Sequence, residues 1–507
     1  MGPLLLLPMG IAALIALLLI LTFANYRISK SVLYPPFVFT FMWLLDFAVI
    51  SLHVIELDEF HASSLLLFGF GAAVFSFGGA IAWLMPDLLT STKIKIGDSL
   101  GHPRGGHLAK KIALVICFIL MAALTRDTYH KGVTFSAQGS FLANARDASV
   151  SGVADDGASL PLLAYASGWT LSCAALSFIE KRDKYFWAMS LIALITSIMT
   201  TGRGPVIQLI LCLVTIHLIK SKRLSIQQAF KAAKIPIAIF AALYIILTFT
   251  NKNTSTIEGG FIGVMQAYLV GYIVGPAAGM DYVLEHASDY ANLPNATLQF
   301  PLKIGASLHL WSYTPPPFLD EFVHIPFLTN VYTGYKGFFT DYGYVGCLIC
   351  IFIIGFLHTL LYKKAIIGSS LGLYLFSLMS MCPVMFIFMD TYSEIGPWLD
   401  AILVGCAYMI VRPLRLFPAS DTTRFVLIKE SEKQMLKNFW WPLWPKSAKF
   451  PKLVLFSDAE KKALGLYGKK FVLISKREKK ATAAALRAAA REEPIPTKEP
   501  ERVAVGD

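Results

Sequence analysis

Residues Leu4–Ala24 read LLLLPMGIAALIALLLILTFA, without one charge. At 1.5 Å per residue a helix of that length crosses about 30 Å, the thickness of a bilayer's hydrocarbon layer. A secretory leader is the alternative. Leaders place Lys or Arg ahead of a shorter apolar run, whereas here Arg27 and Lys30 follow a longer one. The stretch therefore reads as a retained first span.

The rest of the chain repeats the pattern. Of 507 residues 55% are hydrophobic and 15% charged, with a mean hydropathy of +0.59, which makes the bilayer the solvent for most of the chain. The expected fold is an all-α polytopic membrane protein of about eleven transmembrane helices. They fall near 4–24, 35–55, 63–85, 111–125, 160–179, 185–200, 205–220, 233–250, 338–361, 366–389 and 396–412. All seven cysteines, Cys117, Cys173, Cys212, Cys347, Cys350, Cys382 and Cys406, lie inside these stretches, leaving none for an extracytoplasmic disulfide. The CxxC of Cys347 and Cys350 interrupts VGCLICIFIIG and reads as small residues between helices rather than a redox or metal pair.

Charge tests this list, because basic loops should alternate with acidic or neutral ones. Arg27/Lys30, the Lys93–Lys111 loop, Lys181/Arg182/Lys184, Lys220–Lys234, Lys363/Lys364 and Arg412/Arg415 fall on one side. Glu56/Asp58/Glu59, residues 126–159, the turn at 201–204, residues 251–337 and Asp390–Pro397 fall on the other. The rule predicts an N-terminus outside and a C-terminus in the cytoplasm. Residues 126–159 and 251–337 are then long extracytoplasmic loops, a length that usually accompanies function. Within the second, residues 260–285 are apolar yet Gly-rich and broken by Pro276, and a full crossing there would invert the downstream alternation. They read as a re-entrant or interfacial segment, which requires protein or water to cover its broken backbone.

Residues 413–507 carry 20 Lys plus Arg against 11 Asp plus Glu, supplying most of the chain's net +12. This basic cytoplasmic tail, with NFWWPLWPK at Asn438–Lys446, suits an anionic headgroup surface. It has no nucleic-acid motif, and its Ala, Lys, Glu and Pro-rich end from 478 predicts a short helix and disorder.

Chemistry on the outer side has a small set of candidates. In TTGRGP, Thr200–Pro205, Arg203 is held between glycines at the outer end of two spans. A guanidinium there suits an anionic partner, with glycine N–H groups able to approach phosphate; a snorkelling arginine in a short hairpin is the plainer alternative. Arg126, Arg146 and Lys336 lie on the same side and, if the loops converge, complete a set of cations fit for a diphosphate. His286, His309, His324, Asp320, Glu321 and Asp341 are the acid or base candidates. Asp341 near the start of a span also suits helix capping, and His309, flanked by apolar residues, also suits packing. No HExxH, DxD or P-loop occurs, so the sequence predicts neither a metal nor a cofactor.

Four stretches now combine: RISKSVLYPPFVFTFMW, the TGRGP turn, AYLVGYIVGPAAGMDYV and NVYTGYKGFFTDYGYVG, in that order over residues 25–362. Their order and side resemble the Wzy-type O-antigen polymerases. The resemblance implies a GT-C-like glycosyltransferase of the bacterial inner membrane that uses no nucleotide sugar. It implies as partners an undecaprenyl-pyrophosphate-linked oligosaccharide donor and acceptor, membrane lipids and a chain-length-regulating co-polymerase, with no nucleic acid. Arg203 and Arg146 would hold pyrophosphate with Arg126 and Lys336 nearby, and His309 and Asp341 would be the acid or base candidates. Some of these polymerases place Gly eleven positions after Arg in two outer loops. Arg146 and Gly157 fit that spacing, while the second loop holds no arginine, only Lys252, Lys303 and Lys336. Tyr290, Trp311, Tyr313, Tyr332 and Tyr335 would suit sugar faces, and equally a membrane interface. An O-antigen ligase shares this architecture and donor. A secondary transporter would need repeated halves, which are absent, and mid-span polar residues, of which Asp46 and His358 are the plain examples. A membrane O-acyltransferase would need an embedded His with an Asn partner, and His358 has no such neighbour in sequence.

Overall fold

The computed structural model describes residues 6–52, 57, 59–85, 106–136, 141–151, 163, 165–201, 204–222, 224–228, 230–231, 234, 270–290, 295–314, 320–367, 369–393, 398–399 and 401–405, and strand segments 425–428, 452–455 and 472–474. It divides into a helical unit, residues 1–85 with 107–411, and a second unit, residues 86–106 with 412–507. The described helices are α1 (Leu6–Ser29), α2 (Pro35–Ile50), α3 (Ala62–Leu84), α4 (Gly106–Phe135), α5 (Phe141–Ser151), α6 (Ala166–Glu180), α7 (Lys184–Met199), α8 (Gly204–Lys220), α9 (Gly275–Glu285), α10 (Gln299–Ser307), α11 (Tyr335–Ile366) and α12 (Ser370–Met379). Four, Met9–Ser29, Ala62–Leu84, Lys110–Phe135 and Tyr335–Ile366, are long and apolar enough to cross a membrane. The chain is a multi-pass, mostly helical membrane protein.

Local chemistry fixes the ends. Pro35 and Pro36 open α2, where a missing N–H costs nothing. Asp183 caps α7 by accepting from the N–H groups of Tyr185 and Phe186 at 3.1 and 3.2 Å, and Ser369 caps α12 through Gly372 N–H at 3.0 Å. α4 runs nearly three turns past Thr125, where the sequence suggested a loop. RDTYHKGVTF holds no proline, and the Asp127–Lys131 pair at 3.0 Å supports the added turns. The expected crossing at 233–250 lies almost wholly outside the described residues, and that at 396–412 is described only in part.

α11 is two helices. Gly343 has φ +67° and ψ −173°. In a straight helix Tyr335 and Cys347 would stand roughly 18 Å apart, yet Cys347 Sγ lies 3.9 Å from the Tyr335 carbonyl oxygen. A Cβ at Gly346 would overlap Tyr342 Cβ. The chain therefore folds back at Gly343: a short arm, residues 335–342, packs against the long arm, residues 344–366. The Tyr335 phenol reaches Gly71 of α3, while Tyr344, beyond the reversal, donates to the Ser63 carbonyl at 3.4 Å.

The long arm and α3 lie so close that a Cβ at Gly78 would strike the Phe352 carbonyl and one at Gly355 the Phe75 carbonyl. Lipid supplies no hydrophobic drive between helices, so such small-residue contacts hold them by dispersion. Around this seam Phe39 stacks on Phe75 at 4.1 Å, and Trp43 meets Phe68 at 4.9 Å and Tyr335 at 5.5 Å. Val274, Ala277, Met280 and Val283, from a π-turn at 270–274 and α9, are buried in the same core. Protein thus covers the described half of the broken 260–285 segment. A second core joins α6, α7, α8 and α12.

Helix ends sort by charge as the loops predicted. Lys110 at the start of α4 pairs with Asp183 at 2.9 Å and Glu180 at 3.5 Å. Burial pushes the Asp183 carboxyl up, but the Lys110 ammonium and two backbone N–H donors outweigh it and hold the group below the usual carboxylate range. Lys220 at the end of α8 donates to the carbonyls of Phe178 and Ile179 ending α6. Lys363 donates to those of Ala82, Trp83 and Met85 ending α3. Lys220 and Lys363 thus meet the negative ends of α6 and α3. Together they define one basic face; on the opposite face lie the starts of α3 and of the long arm.

In the second unit, β3 (Phe425–Ile428) pairs parallel with β4 (Lys452–Leu455) and antiparallel with β5 (Val472–Ile474). Each strand is a mostly apolar run of three or four residues, too short to stand out in the charged tail.

Candidate functional site

On the face opposite the basic one, Lys336 occupies the first turn of the short arm. The arm is seated by the Gly334 N–H donating to the Phe386 carbonyl at 2.7 Å. The Lys336 side chain is 11% exposed, and its ammonium lies 2.7 Å from Asp320 Oδ1, a carboxylate 47% exposed. The same nitrogen stands 3.7 Å from the centre of the Tyr332 ring and 5.5 Å from that of Tyr290. An ammonium over phenol faces is held by their quadrupoles, the more so when desolvated. Burial pushes both phenols up, so they stay neutral faces and donors. Tyr332 donates to the Glu321 carbonyl at 2.8 Å, fixing its ring beside the ion pair. The result is a cup with a cation at its base, aromatic walls and a carboxylate at the rim.

The cup's walls come from distant segments. β1 (Val323–Ile325) and β2 (Phe327–Thr329) form a hairpin that returns the chain from Asp320 to Tyr332. α9 packs on that return so tightly that a Cβ at Gly279 would lie 2.9 Å from the Val331 carbonyl. Asp281 of α9 ties it to the start of α3: it accepts from His61 N–H at 2.9 Å and from the Ser64 hydroxyl, and its other oxygen lies 3.1 Å from His61 Nδ1. The carboxylate supplies the cap that His61 itself lacks. Its hydrogen bond and charge, with that of Glu285, raise the His61 imidazole above its ordinary value despite some burial.

Asp341 sits at the far end of the short arm. Its carboxylate accepts from Ala296 N–H at 3.0 Å, Thr297 N–H at 2.8 Å and Thr297 Oγ1 at 2.6 Å. It therefore anchors the loop to the arm instead of capping its own helix, and an acid or base role would have to displace Thr297. His309 is exposed rather than packed. With φ +58° it ends α10, its N–H donating to Ala306 and that of Leu310 to Gly305, the paired bonds of a Schellman turn. His324 is exposed on β1, and His286 stacks on Tyr282 at 4.1 Å.

The arginines come from other elements. Arg126 is exposed on the outer extension of α4, and α5, bearing Arg146, folds back so closely that a Cβ at Gly132 would overlap the Phe141 carbonyl. Thr128 donates to the Met199 carbonyl at 3.0 Å, which brings the Arg126 turn beside the start of TTGRGP. Thr201 there has φ +57°, a left-handed backbone that a β-branched residue adopts only under strain, and such strain collects at functional turns. Arg203 itself lies outside the described residues, as do Gly157 and Lys252. Of the four expected cations, Arg126 and Arg146 thus share the α4–α5 hairpin, while Lys336 is engaged by Asp320.

No protein-family profile, curated protein or solved structure matches the chain. The site has to be read from its own chemistry.

Sequence reading named Lys336, Asp320 and Tyr332 separately and missed that they form one unit. It passed over Asp281 altogether, although AAGMDYV places a lone carboxylate in an apolar helix, a position that calls for a partner. Among the described residues no group of three or more His, Cys, Asp or Glu is arranged to hold a metal ion.

Proposed function

We propose that the chain is a polymerase of the Wzy type, a GT-C-like enzyme of about eleven spans that joins undecaprenyl-pyrophosphate-linked oligosaccharide units at the periplasmic face of a bacterial inner membrane. The observation that carries this reading is the cup itself: a buried ammonium, 2.7 Å from a half-exposed carboxylate, between two phenol faces. Three of the four stretches that carry the resemblance meet near it: Gly279 lies against Tyr332, and Trp43 packs on Tyr335, the residue before Lys336. The orientation, basic face inward, follows from the positive-inside rule.

The chemistry would run as follows. The donor's diphosphate replaces Asp320 at Lys336, with Arg203 and Arg146 as further cations. Asp320, released, takes the proton of the acceptor's hydroxyl as that oxygen attacks the anomeric carbon of the donor sugar. The bond from that carbon to the diphosphate oxygen breaks, and the leaving group keeps the electron pair, stabilised by the fixed cations. The diphosphate already stores the energy for transfer, so positioning and charge suffice. Tyr290 and Tyr332 would stack on sugar rings.

The test is the surface polysaccharide of cells with and without the gene. Loss of the long-chain ladder with one-unit material retained is expected. Loss of all attached glycan would assign a ligase instead, and an unchanged profile would end both readings. Arg203→Lys should sharply lower activity and Arg203→Ala abolish it at normal abundance, since lysine keeps the charge but loses the paired donors.

A further inference from the structure

α10 and the turn that follows it form a closed hook on the outside of the helical unit. The Trp311 ring folds back over Gly305, occupying the space a Cβ there would need, and its indole N–H donates to the Leu302 carbonyl at 2.8 Å. Tyr313 closes the base by donating to the Asn295 carbonyl at 2.7 Å. A loop so braced would be expected to hide its apolar side chains. It does the reverse: Leu298, Ile304, Leu308, Leu310 and Trp311 are 44% to 65% exposed. From Asn295 to Tyr313 the only formally charged side chain is Lys303, also exposed.

What covers that face follows from where the hook is tied. Asp341 and Tyr342 hold Ala296 and Thr297, the latter by a 2.8 Å bond between the Thr297 and Tyr342 hydroxyls. Those two residues immediately precede Gly343, at the top of the long arm. Down that arm Val345, Ile349, Ile353 and Leu357, spaced by four, are 46% to 70% exposed and form one stripe of a span. In a membrane protein that stripe faces acyl chains, so the hook springs from the level at which lipid begins. Large apolar residues, one tryptophan whose N–H is already satisfied, and a lone lysine are the composition of an interfacial helix.

We infer that residues 298–311 are a lipid-docking hook lying in the headgroup and upper acyl region of the leaflet opposite the basic face. Its anchor at Asp341 hangs on the same short arm as Lys336. Contact with the bilayer therefore fixes that arm relative to the lipid surface. The inference rests on the span and the hook alone, and stands whether or not the chain polymerises glycans.

Nitroxide labels at Leu308→Cys, Leu310→Cys and Ile349→Cys test it. The full-length chain is used in phosphatidylethanolamine and phosphatidylglycerol vesicles, with the signal of unsubstituted protein subtracted. All three positions are exposed, and gel-filtration elution matching the unsubstituted protein verifies the fold. At 308 and 310 collisions with oxygen should exceed those with a water-soluble nickel chelate, at a depth shallower than at 349. Higher nickel accessibility at 308 and 310 would place the hook in water and overturn the inference. Exclusion of both reagents would mean that protein covers it, and would overturn it equally.

Discussion

Gly343 offers the sharpest test of the reversal that buries Lys336. At φ +67° and ψ −173° it occupies backbone space open to glycine almost alone. A Cβ there would meet no neighbouring group within 4 Å, so Gly343→Ala isolates the backbone cost, about 1 to 3 kcal/mol. Gly337, six residues earlier in the short arm, is the control. A Cβ there would touch Ala296 Cβ at 3.5 Å and Thr297 Cγ2 at 3.7 Å, ordinary contacts, in a helix that favours alanine by up to about 1 kcal/mol. The two substitutions should act in opposite directions. Thermal unfolding of the purified protein in detergent, followed by tryptophan fluorescence, should show a lower midpoint for Gly343→Ala and an equal or higher one for Gly337→Ala. A continuous helix from 335 to 366 predicts stabilisation by both, and that outcome would refute the hairpin.

Removing the rim carboxylate by Asp320→Asn should destabilise by less than the about 3 to 5 kcal/mol of a fully buried broken pair, because Asp320 is half exposed; the same unfolding assay reads it. Lys336→Met keeps the apolar stem without the charge, and should leave abundance unchanged while stopping long-chain polymer in cells. The His61–Asp281 tie should make stability pH-dependent. With the imidazole raised in the folded state, its contribution is complete below the ordinary histidine value near 6.5 and fades as pH rises through the folded value. The unfolding midpoint should therefore fall from pH 6 to pH 8 more in the unsubstituted protein than in His61→Phe. Asp183 has the opposite sign: held low when folded, it stabilises above the ordinary carboxylate range and is lost as pH falls through its folded value, a loss that Asp183→Asn should remove from the acid limb.

Hydropathy and charge alone determined that this chain crosses a membrane several times and which helix ends share a face. Length of an apolar run and placement of lysines are properties of the chain, and the bonds of Lys110, Lys220 and Lys363 to helix ends agree with them. That Pro276's segment needs protein or water over its backbone was also legible, since a broken backbone leaves polar groups that lipid cannot satisfy; that protein covers its described half was not. The site was legible only as a roster. Nothing local in NVYTGYKGFFTDYGYVG says that the chain doubles back at Gly343, because glycine permits the reversal without requiring it. Asp341 read as a cap by its position, yet its donors come from Ala296 and Thr297, more than forty residues away in sequence. Lys336 read as a free cation for the same reason, with Asp320 and Tyr332 delivered to it by the β1–β2 hairpin. Periodicity and charge report what each segment needs from its surroundings; which partner meets the need depends on long-range packing, and only the tertiary structure decided it.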